Sequence, residues 1–106
     1  MKVTPEINKA VAEAMGLKLT TDFKVELIGK SYKDGTKSVF YRYWQPDKDA
    51  EQNDLVQEHY KIDSLYLPLC EEWHSSIYDT LVDVDHPDRK TAVVLAAYEF
   101  IINTKK

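Results

Sequence analysis

The stretch Ala92–Ile102 contains eleven residues and only one charged side chain, Glu99. A helix at a protein surface normally has one apolar stripe and a polar face opposite it. Wound as a helix, this stretch is apolar on nearly every side, with one stripe formed by Ala92, Val93, Ala96 and Phe100 and the rest by Val94, Leu95, Tyr98, Ile101 and Ile102. The fold must therefore cover this helix on two sides, which constrains the architecture more than any other feature of the sequence.

Two kinds of cover are available to this final helix. A β-sheet can pack on the first stripe, because small alanine side chains allow close approach. The second side is too apolar to face water, since large contiguous apolar patches are uncommon on monomers. An N-terminal helix with a narrow apolar stripe covers only part of it. The sequence therefore predicts a homodimer whose interface contains Val94, Leu95, Tyr98 and Ile102.

Local signals divide the rest of the chain into helices and pairs of strands. Thr4 is typical of a helix N-cap and Gly16 of a helix end, which predicts a helix over Pro5–Met15. The pair Asp34-Gly35 is typical of a tight turn between two strands. The further predicted segments are a hairpin of Phe23–Gly29 with Lys37–Trp44, a surface helix after Pro46, two strands that join near Pro68–Glu71, and a last helix capped by Asp85.

The order of these elements predicts the fold class. Hairpins favour antiparallel sheets, and amphipathic helices cover the apolar face of such a sheet. We expect an α+β fold of order α-ββ-α-ββ-α, with helices packed on a mainly antiparallel sheet of about four strands. A chain of 106 residues is long enough for one core, so residues 1–106 are expected to form a single domain.

Composition places the chain among ordinary globular proteins. It is 43% hydrophobic and 30% charged, and it has a single cysteine, Cys70, which excludes an internal disulfide. No apolar run reaches the roughly 20 residues that a membrane-spanning helix needs. No apolar stretch of a secretory signal follows the first methionine. We therefore expect a cytoplasmic protein without a membrane partner.

Charge is distributed unevenly along the chain. Residues 1–46 have eight basic and five acidic side chains, whereas residues 47–106 have six basic and thirteen acidic ones. The net charge of −4 makes broad affinity for nucleic-acid phosphates unexpected. Most of these acids are expected to serve solubility. The acidic half could also meet a basic partner, or the basic half of a second copy.

Four segments of the chain form a pattern that points to a known family. They are the initial helix Pro5–Glu13 with Gly16-Leu17 after it, Trp44-Gln45-Pro46 just before a helix, a strand with Trp73, and the alanine-rich helix Ala92–Tyr98 that follows. Together these segments resemble the phage ABA sandwich family of small bacteriophage proteins. This resemblance implies a phage origin and no catalytic residues. A small phage protein of this kind is expected to bind a host protein, for instance as an inhibitor of an anti-phage defence protein.

Two groups of residues are candidate metal ligands. Cys70 and His74 could face the same ion with His59 or Glu72, but zinc sites normally use paired Cys and His spacings that this chain lacks. Asp83, Asp85 and Asp88 cluster around a predicted turn, yet the glycine and glutamate positions of an EF-hand are not filled. The sequence therefore predicts no metal and no cofactor.

Motifs of the common enzyme classes are absent from the sequence. Three glycines cannot build a phosphate-binding loop or a dinucleotide fingerprint, and no serine lies in a nucleophile elbow. We therefore expect a protein without catalytic activity. An enzyme without a recognisable motif ranks third among the functions considered.

The segment Val39–Trp44 is the most suggestive candidate for a binding surface. Tyr, Trp and Arg dominate protein interfaces, which selects Arg42, Tyr43 and Trp44 as first candidates for partner contact. Asp83 and Asp85 are the acidic second candidates. The segment could instead pack one side on helices, or its aromatics could stack on a nucleotide. The sequence favours a protein-binding function, with a dimeric module for nucleotides or other small molecules as the alternative.

Overall fold

The computed structural model describes residues 2–31 and 33–104, with side chains at positions other than 26–31 and 37–40. It contains three helices and two antiparallel sheets. The helices are α1 (Pro5–Ala14), α2 (Ala50–Tyr60) and α3 (Arg89–Thr104), and the strands are β1 (Lys24–Ser31), β2 (Lys37–Tyr43), β3 (Ile62–Leu67), β4 (Glu72–Ile77) and β5 (Asp83–His86). The α+β class is confirmed.

The sheet arrangement differs from the predicted single sheet of about four strands. β1 and β2 form a two-stranded sheet, and β3, β4 and β5 form a three-stranded sheet in that spatial order. The fifth strand was not predicted, because aspartate is rare in strands and the segment precedes Pro87. Asp85 therefore lies in a strand and does not cap α3. The carboxylate of Asp88 instead accepts a hydrogen bond from the backbone N–H of Thr91, at 2.9 Å.

The first two helices start where side-chain oxygens can accept hydrogen bonds from backbone N–H groups. Thr4 caps α1, its hydroxyl oxygen accepting from the N–H of Ile7 at 3.3 Å. Asp49 caps α2 in the same way, accepting from the N–H of Gln52 at 3.1 Å. α2 ends at Lys61, whose φ of +54° is the left-handed conformation common at helix ends.

α3 lies at the centre of the molecule and is covered on two sides within one chain. It packs against all three strands of the three-stranded sheet and also against α1 and α2. Every residue of Ala92–Ala97 is buried. Val94 and Leu95, predicted to lie at a dimer interface, are therefore buried inside the single chain. Tyr98 remains half-buried, and Ile102 is 39% exposed.

The three-stranded sheet has an inner face towards α3 and an outer face that no helix of the described residues covers. Ile62, Ser75 and Ile77 are buried on the inner face. The outer face, named as such below, consists of Asp63, Leu65, Leu67, Glu72, His74, Ser76, Asp83 and Asp85. None of these eight side chains is buried. The helical layer thus lies on one face of the sheet only.

The hairpin β1–β2, called the arm below, leaves the core at its base. Val25 and Trp44 are buried there, and Leu19 forms a single bridge with Val25. Among the described residues, neither strand packs extensively on any other helix or strand. The molecule measures 54 × 32 × 26 Å, and its radius of gyration is 15.3 Å. A compact domain near 100 residues would have about 13 Å. A projecting arm accounts for the difference.

Within the described residues, no helix combines the length and the apolar character needed to cross a membrane.

A candidate protein-binding surface

Strand register arranges the outer face in three rows of side chains. Cα partners in antiparallel strands point to the same face, so each row runs across the sheet. The first row is Asp63, Ser76 and Asp83, the second is Leu65, His74 and Asp85, and the third is Leu67 and Glu72. Four carboxylates therefore surround a central leucine and a histidine.

His74 lies between two carboxylates of the neighbouring strand. Its Nδ1 atom is 2.6 Å from Oδ1 of Asp85, the residue directly opposite, and 3.0 Å from Oδ1 of Asp83. In the sequence, Asp83 and Asp85 belong to one group of candidate metal ligands and His74 to another. Only the register of β4 and β5, which the chain pattern did not predict, brings the two groups together.

The histidine and the two carboxylates can form hydrogen bonds with one another or offer three ligand atoms to a divalent cation. Their nearest donor atoms lie within 4.8 Å of one another. Nitrogen and oxygen donors suit several first-row metals. The 2.6 Å contact between Nδ1 and Oδ1 is nevertheless the length of a charge-assisted hydrogen bond. We therefore describe the group as a histidine held between two carboxylates.

Two further candidate metal ligands, Cys70 and Asp88, lie apart from this group. Cys70 is exposed in the turn between β3 and β4. Asp88 is occupied at the start of α3, where Thr91 donates to it from both its backbone N–H and its hydroxyl. Partial burial acts to raise the pKa of Asp88, but the hydrogen bonds from Thr91 outweigh it and the pKa lies below the ordinary value.

Apolar side chains are exposed on and around the outer face. Leu65 is 62% exposed in the central row. Leu69 in the β3–β4 turn, and Tyr78 and Leu81 between β4 and β5, are almost fully exposed. Exposed apolar groups rimmed by polar side chains are typical of interaction sites. The outer face thus combines an apolar centre and margin with a negative charge.

The first-choice residues of the sequence prediction separate in the structure. Arg42 forms ion pairs with Asp49 and Glu51, at 3.7 and 3.3 Å. Tyr43 is 56% exposed, and its ring lies 4.9 Å from Nζ of Lys24. These two side chains remain at the surface of the arm.

Trp44 is a core residue. It is 4% exposed, and its indole Nε1–H donates to the backbone oxygen of Asn8 at 2.7 Å. A partner could reach this ring only if the base of the arm came apart. The predicted surface position of Trp44 is therefore corrected, and the residue instead ties the arm to α1.

A groove of about 430 Å³ separates β5 from α3. All four residues of β5 line one side of it. The other side is formed by Leu95, Tyr98, Glu99 and Ile102 of α3. Three of the four predicted dimer residues thus line a single groove, and Val94 lies in the core.

Comparison of the chain with protein-family models, with curated proteins and with solved structures found no match in any of the three.

Proposed function

We propose that this protein is a small non-catalytic binding protein that acts through protein–protein contact, with the outer face of the three-stranded sheet as its binding surface. The observation that carries the proposal is Leu65, a large apolar side chain 62% exposed in the middle of a sheet face that no helix covers. Apolar anchors surrounded by charged side chains are typical of interface centres and their rims.

The charge of the outer face indicates the kind of partner. Asp63, Glu72, Asp83 and Asp85 carry negative charge, and the side-chain contacts described for these carboxylates involve only His74. A partner with a basic surface and an apolar recess for Leu65 would be complementary. Such complementarity raises the association rate and excludes acidic competitors.

The resemblance to phage ABA sandwich proteins supplies the biological setting of this proposal. We infer a phage protein in the bacterial cytoplasm that binds a host protein, such as a component of an anti-phage defence. The alternative, a nucleotide-binding module, gains no support from the outer face, because its carboxylates would repel phosphate groups.

The test begins with capture of the partner from infected bacteria, with the unmodified protein as bait. Two charge-reversed variants are then compared for binding to the captured protein. Asp63→Lys with Glu72→Lys changes two outer-face carboxylates that have no described ion pair. We expect the captured protein, once purified, to bind this variant at least about tenfold more weakly by calorimetry, because tenfold corresponds to only about 1.4 kcal/mol.

A matched control carries the same charge change elsewhere. Asp54→Lys with Glu58→Lys alters two exposed side chains of α2, away from the sheet. Full binding by the control and weak binding by the outer-face variant support the proposal. Equal affinity of the two variants would show that the partner binds another surface. Stabilisation by micromolar nucleotide in a thermal-shift assay would favour the alternative function.

A further inference from the structure

The arm lacks the packing that normally stabilises a β-hairpin. An isolated two-stranded hairpin is at best marginally stable in water, and stable sheets have a third strand or a covering helix. The arm has neither among the described residues beyond its base at Val25 and Trp44. Eight residues of β1 span about 27 Å at about 3.4 Å per residue. A partner is the simplest source of the missing contacts.

The arm is strongly basic in a chain that is acidic overall. Residues 24–43 contain five basic and two acidic side chains, a net charge of +3. Residues 62–104, which form the three-stranded sheet and α3, contain eight acidic and two basic ones, a net charge of −6. The two parts of the molecule are therefore complementary in charge, and the complement of the arm is present on every copy of the chain.

The groove between β5 and α3 offers the contacts that the arm lacks. β5 pairs only with β4, so its second edge is open within the described structure. Beyond that edge lie the apolar side chains of Leu95, Tyr98 and Ile102. The acidic residues along the groove are Asp83, Asp85 and Glu99. An added strand would gain backbone hydrogen bonds and an apolar wall together, as in β-augmentation.

We propose that the arm of one copy lies in the β5–α3 groove of a second copy, and that the two copies exchange arms reciprocally. β2 is the joining strand, because Leu19 already occupies the second edge of β1 at Val25. Each joint sheet then has five strands in the order β3-β4-β5-β2-β1, with β2 and β1 from the partner. The function proposed for the outer face does not require this dimer, although Asp83 and Asp85 belong to both surfaces.

The composition of β5 selects a basic strand over others. Short edge strands with charged side chains are a common defence against unwanted pairing. Asp83 and Asp85 act in that way against neutral or acidic strands. Against β2, which contains Lys37 and Arg42, the same carboxylates become attractive. A four-residue acidic edge beside an apolar wall thus admits the arm and discourages general aggregation.

Exposed tyrosines on β2 fit the apolar wall of the groove. Tyr41 and Tyr43 lie on the same face of the arm and are each 56% exposed. Tyr98 and Ile102 are the partly exposed residues of the wall. Association would remove all four from water at the same contact, and burial of apolar surface favours association.

A charge exchange between two variants tests this arrangement. In one variant, Lys24→Glu with Lys33→Glu changes the net charge of the arm from +3 to −1. In the other, Asp83→Lys with Glu99→Lys replaces two of the three groove carboxylates. We expect the unmodified protein to have twice the monomer mass by light scattering in the micromolar range, and each variant alone to have the monomer mass.

The equimolar mixture of the two variants is the decisive sample. The acidic arm of the first variant then meets the basic groove of the second, and the basic arm of the second meets the acidic groove of the first. Both contacts are attractive, so we expect a heterodimer of twice the monomer mass. Circular dichroism of each variant verifies that the chain is folded.

Three results would overturn the exchange of arms. They are a monomeric unmodified protein, a variant that dimerises alone, and a mixture of folded variants that stays monomeric. None of these depends on the outer-face variant, because Asp63 and Glu72 do not line the groove. Failure of the dimer and failure of the proposed function are therefore separable.

Discussion

The indole of Trp44 shows what alternation along a strand leaves undecided at the scale of one residue. Both sides of the Val39–Trp44 segment carry aromatic rings, so the sequence pattern does not indicate which side is buried. The side that carries Trp44 is buried through a hydrogen bond to an atom that is distant in the chain. The backbone oxygen of Asn8 in α1 accepts the indole N–H, which satisfies a donor that would be costly to bury alone.

Asp88 gives a prediction at the same scale. Asp88→Ala removes the acceptor for both hydrogen bonds from Thr91 at the start of α3. Loss of such an acceptor should lower the free energy of unfolding by about 1 kcal/mol. Because the pKa of this carboxyl is lowered in the folded state, its stabilising effect is complete above the ordinary value of 3.8 and is lost as the pH falls through the folded value.

Urea unfolding of Asp88→Ala and the unmodified protein at neutral and at strongly acidic pH checks this sign. We expect a clear difference between the two proteins at neutral pH and a much smaller one in acid. Asp54→Ala, at an exposed position of α2, serves as a control with little effect at either pH. A difference that persists undiminished in acid would contradict the assigned role of the carboxylate.

At the scale of elements, helix ends could be predicted well and strand partners poorly. Thr4 marks the start of α1 by a local interaction that four consecutive residues contain. The strand β5 depends on partners seven to thirteen residues away, since Ser76 pairs with Asp83 and Trp73 with His86. Its aspartates gave no strand signal, so the outer face and the site around His74 could not be assembled from the sequence.

The final helix presents the same contrast. Its lack of a polar face correctly indicated a need for cover on two sides. It did not reveal that α1 and α2 together meet most of that need in one chain, leaving Tyr98 and Ile102 at the edge of a groove. The apolar pattern of a helix shows which of its residues are buried. It does not show which other helix, strand or subunit covers them.

Amide hydrogen exchange of the arm should differ between the proposed dimer and a monomer. In the proposed dimer, β2 gains backbone hydrogen bonds along its second edge, whereas in the monomeric Lys24→Glu, Lys33→Glu variant it has only β1. Mass spectrometry should therefore find faster amide exchange across residues 24–43 in the variant, because locally weak hairpins open readily. The buried segment Ala92–Ala97 should exchange equally slowly in both. Equal protection of the arm would mean that it is stable without a partner.

At the scale of the whole molecule, charge separation links the elongated shape to association. A basic arm on an acidic body leaves each copy strongly polar, and the proposed reciprocal contact between two copies would cancel much of this polarity. Asp63 and Glu72 lie away from the groove and would keep their negative charge on the outer face in such a dimer.

The proposed dimer should depend on salt because of this charge separation. The Debye length falls from about 10 Å at 0.1 M ionic strength to about 3 Å at 1 M, so attraction between arm and groove weakens as salt is added. Analytical ultracentrifugation should therefore give a dissociation constant that rises steadily with sodium chloride.

The apolar contacts of Tyr98 and Ile102 do not weaken in this way, which should leave a residual affinity at high salt. Tyr98→Ala should remove that residual affinity and leave the dependence of the dissociation constant on salt unchanged. A dissociation constant that falls with salt would instead mean that apolar burial alone joins the two copies.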